Sequence, residues 1–332
     1  MSAAPRLSIG LPVYNGERYL TESLDALLGQ TYEDFELILS DNASTDGTAD
    51  ICELYQKQDP RIRFYRHARN MGSSPNHNFV VREARGEFFK WAAADDLYAR
   101  DLLERCVAAL DADPSVVLAH SWTAAIDDDG RVTQAFPYPL HTDSPRAPER
   151  FRSMLFGTGE NDVGVIRADD QYGVIRADVM RQVGPQGSYY HSDRTIMTKL
   201  ALYGPFHQER DWLYFRRDHG DRPHRARPTV RGWCTNQDPR RASRLRHPTA
   251  RLLAEYFWGY ISAIHDAPLS AADRRECYGL LARWVGGRAA PVTGRVLRRN
   301  LVDAGPPVVI TPPDMVLDGI VAGQERMTRD QA

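Results

Sequence analysis

The chain has 332 residues, 42% hydrophobic and 26% charged, with a formal net charge of -2. That length can bury a large core, and so balanced a charge gives no global reason to bind nucleic acid. No apolar run approaches the roughly 18 residues that would span a membrane, and no segment reads as a signal peptide. The four cysteines lack metal or redox spacing and are expected to be reduced.

Leu7–Val13 is a short apolar strand that ends in the turn Tyr14-Asn15-Gly16-Glu17. Leu20, Leu24, Leu27 and Leu28 then recur at helical spacing. Phe35–Leu39 is a second buried strand; a polar loop containing Asp41 follows, and a helix starts near Asp46. Arg61–Arg66 alternates like a third strand, and Arg69-Asn70-Met71-Gly72 with Asn76-His77-Asn78 leads into a third helix. After the Gly86-Glu87 turn, the apolar run Phe88–Ala94 reads as a buried strand. Four alternations of strand and helix predict an α/β fold with a parallel sheet.

Asp95-Asp96 follows the fourth strand. Open α/β sheets bind ligands at this carboxyl edge. Adjacent carboxylates repel, so they need a cation or hydrogen-bond donors. Two uses are open here: a divalent metal holding an anionic ligand such as a nucleotide diphosphate, or an N-cap for a helix over Tyr98–Leu110.

The proline-rich loop Phe136–Pro148 marks a seam. Ser192-Asp193-Arg194 precedes a helix over Thr195–Tyr203, where Ser192 or Asp193 could be a cap. Phe215-Arg216-Arg217-Asp218-His219-Gly220 ends a strand and opens a loop. Eleven arginines lie between Arg216 and Arg251. They suit a lid over a diphosphate, an anionic membrane face or plain solvation. Helices are expected over Ala250–His265, over Ala271–Val285 with Ser270 as cap, and over Val292–Val302. The aromatics of the first two suit a packed core, a homodimer interface or an acceptor pocket. The tail beyond Pro306 has no assignment.

The strings LPVYNGERYL, LLGQTYEDFELILSDNASTDGT, RNMGSSPNHN and ARGEFFKWAAADDLY occur in this order over about residues 5–125. Together they resemble the nucleotide-binding half of glycosyltransferase family 2, the inverting GT-A transferases. The resemblance implies a Rossmann-like αβα sandwich with a mostly parallel sheet and a C-terminal helical appendage. It divides the chain into a nucleotide-sugar (donor) half at 1–135, an acceptor-binding and catalytic half at 136–245, and a helical region at 246–332.

The resemblance also implies roles. Pro12, Tyr14 and Glu17 lie where the first loop meets the nucleotide. Asp41 would read the base; an acidic acceptor suits the imide N–H of a pyrimidine, hence UDP or dTDP. Its plain alternative is a turn aspartate bonding its own backbone. Asn70 and Gly72 belong to the same pocket, with Gly72 allowing close backbone approach. Asp95 matches the metal-binding aspartate, with Asp96 as neighbour or ribose contact, and His219 would complete the metal site or touch the diphosphate. Asp193 matches the catalytic base, beside Arg194; the fallback bases are Asp162, Asp169 and Asp170. The chain departs from the pattern at Ala93 and Ala94, where the family places an acid.

The implied activity is an inverting transfer of a sugar from a nucleotide-diphosphate donor, with Mn²⁺ or Mg²⁺. The acceptor would be a hydroxyl on a glycan, a lipid-linked group or a small molecule, met in the cytoplasm or at the inner membrane face. Two alternatives stand beside it. Ala93 and Ala94 suggest a catalytically silent nucleotide-sugar-binding protein. A sugar-1-phosphate nucleotidyltransferase would want a glycine-rich basic loop where Pro12-Val13-Tyr14-Asn15 stands.

Overall fold

The computed structural model describes residues 4–157, 169–220 and 229–289. Strands β1 (Leu7–Val13), β2 (Phe35–Asp41), β3 (Ile62–Arg66) and β4 (Phe88–Trp91) pair in parallel in the order β3-β2-β1-β4. The apolar runs of β1, β2 and β4 do not alternate because helices cover both faces; all seven residues of β2 are buried. Leu20, Leu24 and Leu27 of α1 (Glu17–Leu28) and Cys52 of α2 (Thr48–Gln58) pack with Leu7 and Leu37 on one face. Val80 of α3 (Ser73–Glu83) packs with Ile38, Phe89 and Trp91 on the other.

The chain then forms β5 (Leu97–Tyr98), α4 (Leu102–Ala112), β6 (Leu118–Ile126), β7 (Val132–Phe136) and α5 (Ala147–Phe156). A 3-10 turn at Asp169–Tyr172 leads to β8 (Val174–Arg176), α6 (Ala177–Val183), α7 (Ser192–Tyr203) and β9 (Phe206–Arg217). Both halves share one sheet. Its order is β3-β2-β1-β4-β8-β6-β9-β5, with β7 paired to β6. The long β6–β9 ladder is parallel, while β8 runs antiparallel to β4 and β6. The fold is therefore α/β with a mostly parallel sheet, as expected.

Two local expectations change at the edge that matters. The fourth strand ends at Trp91 and α4 starts at Leu102, four residues later than expected. Leu97 and Tyr98 pair antiparallel with Phe215 and Tyr214 of β9 instead of starting the helix. That pairing is long-range, so local pattern could not reveal it. Asp95 and Asp96 therefore do not cap α4; its N-cap is Asp101, without a side-chain cap bond.

The C-terminal part comprises α8 (Val230–Gln237), a 3-10 turn at Pro239–Ala242, α9 (Thr249–Asp266) and α10 (Ala271–Ala289). Ser270 caps α10 as expected: its Oγ accepts from the N–H of Asp273 at 3.1 Å and donates to the Asp273 carboxylate at 2.7 Å. Tyr256, Tyr260 and Trp284 pack with Phe151 and Leu155 of α5 and Leu202 of α7. The aromatics thus form a core that fastens this region to the rest of the chain. The expected helix over Val292–Val302 lies outside the described residues. Among the described residues no helix is long and apolar enough to cross a membrane.

Candidate active site

Because β5 pairs with the end of β9, the segment carrying Asp95 meets the loop that β9 opens. His219 Nε2 lies 2.9 Å from Asp95 Oδ2, across 124 residues of sequence. The Asp95 carboxylate is partly open to solvent, whereas the imidazole is largely enclosed and stacks 5.2 Å from the ring of Tyr19. Its other nitrogen, Nδ1, is buried and has no hydrogen-bond partner among the described residues.

Arg217 holds this meeting point. Its side chain is wholly buried. Nε donates to the carbonyl of Asp95 at 3.0 Å, and one terminal nitrogen to the carbonyls of Asp127 and Asp128 at 3.1 and 2.8 Å. The other reaches Glu22 at 2.6 Å, and the guanidinium lies 4.5 Å from the Tyr19 ring. One cation thereby ties together the Asp95 strand end, the β6–β7 turn, α1 and the His219 loop. Sequence reading placed Arg217 within an arginine-rich stretch and missed this role; the available signal was a strand-end arginine two residues before His219.

Asp96 is fully buried. One carboxylate oxygen accepts from the N–H of Arg217 at 2.9 Å and the other from the hydroxyl of Tyr214. The expectation of a ribose contact is corrected: the carboxylate fixes β9 against the Asp95 turn, and its oxygens are already engaged inside the protein.

The first two βα loops are laced together. Asn15, at a positive φ of 51°, accepts from the N–H of Thr45 at 2.9 Å, and Gly16 donates to Thr48 Oγ1 at 2.9 Å. Glu17 accepts from the N–H of Gly47 at 2.8 Å, so its carboxylate braces the second loop. Tyr14 is half exposed just beyond β1, and Pro12 lies at the strand's end. Asp41 is fully buried at the end of β2. Its Oδ1 accepts from Ser44 at 2.9 Å, the turn role anticipated as an alternative. Its Oδ2 has no hydrogen bond and lies 3.3 Å from Arg66 Nε. That oxygen is buried and faces the Arg66 guanidinium as its ion-pair partner.

Asn70 accepts from Asn42 at 3.0 Å and from the N–H of Gly72 at 2.8 Å, shaping the loop before α3. Gly72 has φ +93°, and a Cβ there would lie 2.4 Å from the carbonyl of Gln237. The close approach expected at Gly72 is therefore to the end of α8.

Asp193 lies in the first turn of α7, which starts three residues earlier than expected. The N-cap is His191, at φ +52° and without a side-chain cap bond, so neither Ser192 nor Asp193 caps the helix. Asp193 Oδ1 accepts only from the N–H of Arg194, at 2.8 Å, among the hydrogen bonds of the described residues. Its charge acts on His77 of α3 and on Tyr189. Burial holds His77 below its ordinary range. Helix α3 starts where β3 has ended, so Asp193 stands on the carboxyl side of the sheet.

Arg194 donates to the carbonyls of Met154 at 2.7 Å and Leu155 at 3.5 Å, at the C-terminal end of α5. These bonds satisfy the last carbonyls of a helix. Among the fallback bases, Asp169 is held by Arg216 at 3.1 Å. Asp170 is buried, accepts from Tyr138 at 2.8 Å, and has its carboxyl pushed up to about 7 by burial. Asp162 and residues 221–228 of the arginine stretch lie outside the described residues.

A model of the family described as Glycosyl transferase family 2 matches residues 8–173. An uncharacterized glycosyltransferase of Methanocaldococcus jannaschii is 32% identical over 134 residues, 40% of this chain and 46% of that one. Chondroitin synthase of Escherichia coli is 28% identical over 143 residues, 43% of this chain and 21% of that one. The chain thus spans less than half the length of either relative. Among solved structures, S. aureus TarS 1-349 in complex with UDP-GlcNAc aligns with a TM-score of 0.60 at 17% identity, covering 88% of this chain and 77% of that one. That likeness establishes the GT-A architecture.

Proposed function

The chain belongs to glycosyl transferase family 2, and on that premise we propose that it is an inverting glycosyltransferase using a pyrimidine nucleotide-diphosphate sugar and a divalent metal. The observation that carries this reading is the meeting of Asp95 and His219 at the sheet's carboxyl edge. A carboxylate and an imidazole 124 residues apart in sequence converge there. Structural support is concentrated on the same spot through Arg217.

The residues present fit a metal of the Mn²⁺ or Mg²⁺ kind. Such ions take one or two protein ligands and draw further oxygens from substrate phosphates. Asp95 and His219 would be the two ligands. Asp96 is engaged elsewhere, Ala93 and Ala94 offer none, and no group of three or more acidic, histidine or cysteine ligands gathers among the described residues. When bound, the ion would supply Lewis-acid neutralisation of the departing diphosphate.

The remaining steps fall to the chain's own groups. Asp193 accepts the proton of the acceptor hydroxyl as its oxygen attacks the anomeric carbon. The bond from that carbon to the diphosphate oxygen breaks, the electron pair leaves with the diphosphate, and the anomeric configuration inverts. Asp41 Oδ2 accepts the imide N–H of uracil or thymine; tighter binding of UDP and dTDP than of GDP checks that assignment. Holding donor and acceptor in line supplies much of the remaining rate.

The test is Asp193→Asn, which keeps the shape but cannot take a proton. Transfer should slow by roughly 10²–10⁴-fold, while donor affinity stays close to wild type. A variant that turns over within about threefold of wild type removes Asp193 from the chemistry.

A further inference from the structure

A groove of ≈ 570 Å³ opens between the α6–α7 connection, α7 and α9, and neither the donor cleft nor the transfer chemistry uses it. Its charged lining is three cations, Lys199, Arg241 and Arg251, against one carboxylate, Glu255. Glu255 sits between the two arginines, paired with Arg241 and, at 3.0 Å, with Arg251. Lys199 forms no hydrogen bond or ion pair among the described residues; Asp266 acts on it only at longer range. Trp258, 65% exposed, forms part of the wall.

The groove adjoins the proposed base. Pro185, Gly187, Ser188 and Tyr189 line it, and the chain continues into His191-Ser192-Asp193. Tyr189 belongs to the wall and also feels the charge of Asp193. Lys199 follows Asp193 by six residues on the same helix, a rise of about 9 Å. Gly259 makes the floor: a Cβ there would lie 2.5 Å from the Tyr189 hydroxyl, so only glycine lets α9 approach this closely.

We propose that this groove is the acceptor subsite, and that it takes a glycan bearing an anionic group, a sugar carboxylate or phosphate, beside a sugar ring laid against Trp258. Lys199 and the arginine pair meet the anion. The flat indole meets the apolar face of the ring, and Ser188 and Ser262 offer hydroxyls to its edge. The mixed lining, cations beside an exposed indole and two serine hydroxyls, favours a glycan, which offers an anion, an apolar ring face and hydroxyls together. The proposal rests on Asp193 as the base for its orientation, while binding in the groove can be read separately from transfer.

The test uses the full chain and two probes that differ only in charge: hexagalacturonic acid and its methyl ester. Calorimetric titration should show the acid binding at least about tenfold more tightly than the ester. Lys199→Gln and Trp258→Ala should each weaken the acid by about tenfold or more. Neither should change UDP affinity or melting temperature. Equal binding of acid and ester, or no binding of either, overturns the proposal. So does displacement of the acid by phosphatidylglycerol vesicles whose own binding depends on Trp258, which would mark a membrane-docking face. If the acid binds as described but Asp193→Asn leaves transfer intact, the groove stands and the base assignment falls.

Discussion

Replacing Arg217 by methionine removes a wholly buried guanidinium and keeps most of its stem volume. Three backbone carbonyls, of Asp95, Asp127 and Asp128, lose their charged donor, and Glu22 loses its partner. Glu22 is half exposed and rehydrates, so that pair contributes little. A hydrogen bond from a charged group is worth about 1.5–3 kcal/mol. The Asp127 and Asp128 carbonyls lie in a surface turn and recover part of theirs through water. One charged hydrogen bond lost outright and two lost in part leave a net loss of about 3–5 kcal/mol. At roughly 2–4 °C per kcal/mol for a large domain, the melting temperature should fall by roughly 10 °C. Arg217→Lys keeps the charge without the fork and should fall between. The assay is thermal denaturation followed by circular dichroism, with UDP titration of the folded fraction. Because Arg217 anchors the Asp95 carbonyl, UDP affinity should drop about tenfold in the methionine variant. A variant that melts within about 2 °C of wild type, or binds UDP equally well, refutes this account.

Asp170 gives a pH dependence of definite sign. Burial raises its carboxyl to about 7 in the folded chain, above the ordinary carboxylate range. Between the unfolded value of about 4 and 7, the native state holds a proton that the unfolded state has released, so stability falls as pH rises through this window. Asp170→Asn should flatten that dependence and raise stability at pH 8 relative to wild type, on the order of a few kcal/mol; urea titrations at pH 5 and pH 8 check it, and an unchanged pH profile counts against it. Gly72→Ala places a Cβ 2.4 Å from the carbonyl of Gln237 at a left-handed φ, so it should destabilise by at least about 2 kcal/mol; a melting temperature equal to wild type would contradict the crowded contact.

The parts of the fold that local chemistry dictates were legible. Strands β1 and β2 are mostly apolar because helices bury both faces, and α1 and α10 carry their own spacing and cap. Strand β5 was not legible: two residues pair only because β9 arrives more than 110 residues later. The same long-range pairing hides the function of Asp96 and Arg217, whose partners are far apart in sequence. Residues 95 and 219 could be nominated through resemblance, but their approach to 2.9 Å is a property of the folded sheet. The bonds of Arg194 to Met154 and Leu155 were likewise not legible, because those residues lie about 40 positions away in sequence. In the fold Arg194 satisfies the end of α5.

The central claim is that Asp95 and His219 form, with a metal and a diphosphate, the donor site. Calorimetric titration of UDP with and without Mn²⁺, on wild type, Asp95→Ala and His219→Ala, tests it most directly. The account predicts saturable binding to wild type that EDTA abolishes, no Mn²⁺-dependent binding to Asp95→Ala, and binding weakened by tenfold or more, about 1.4 kcal/mol, in His219→Ala. UDP binding that survives EDTA and both substitutions unchanged would contradict it.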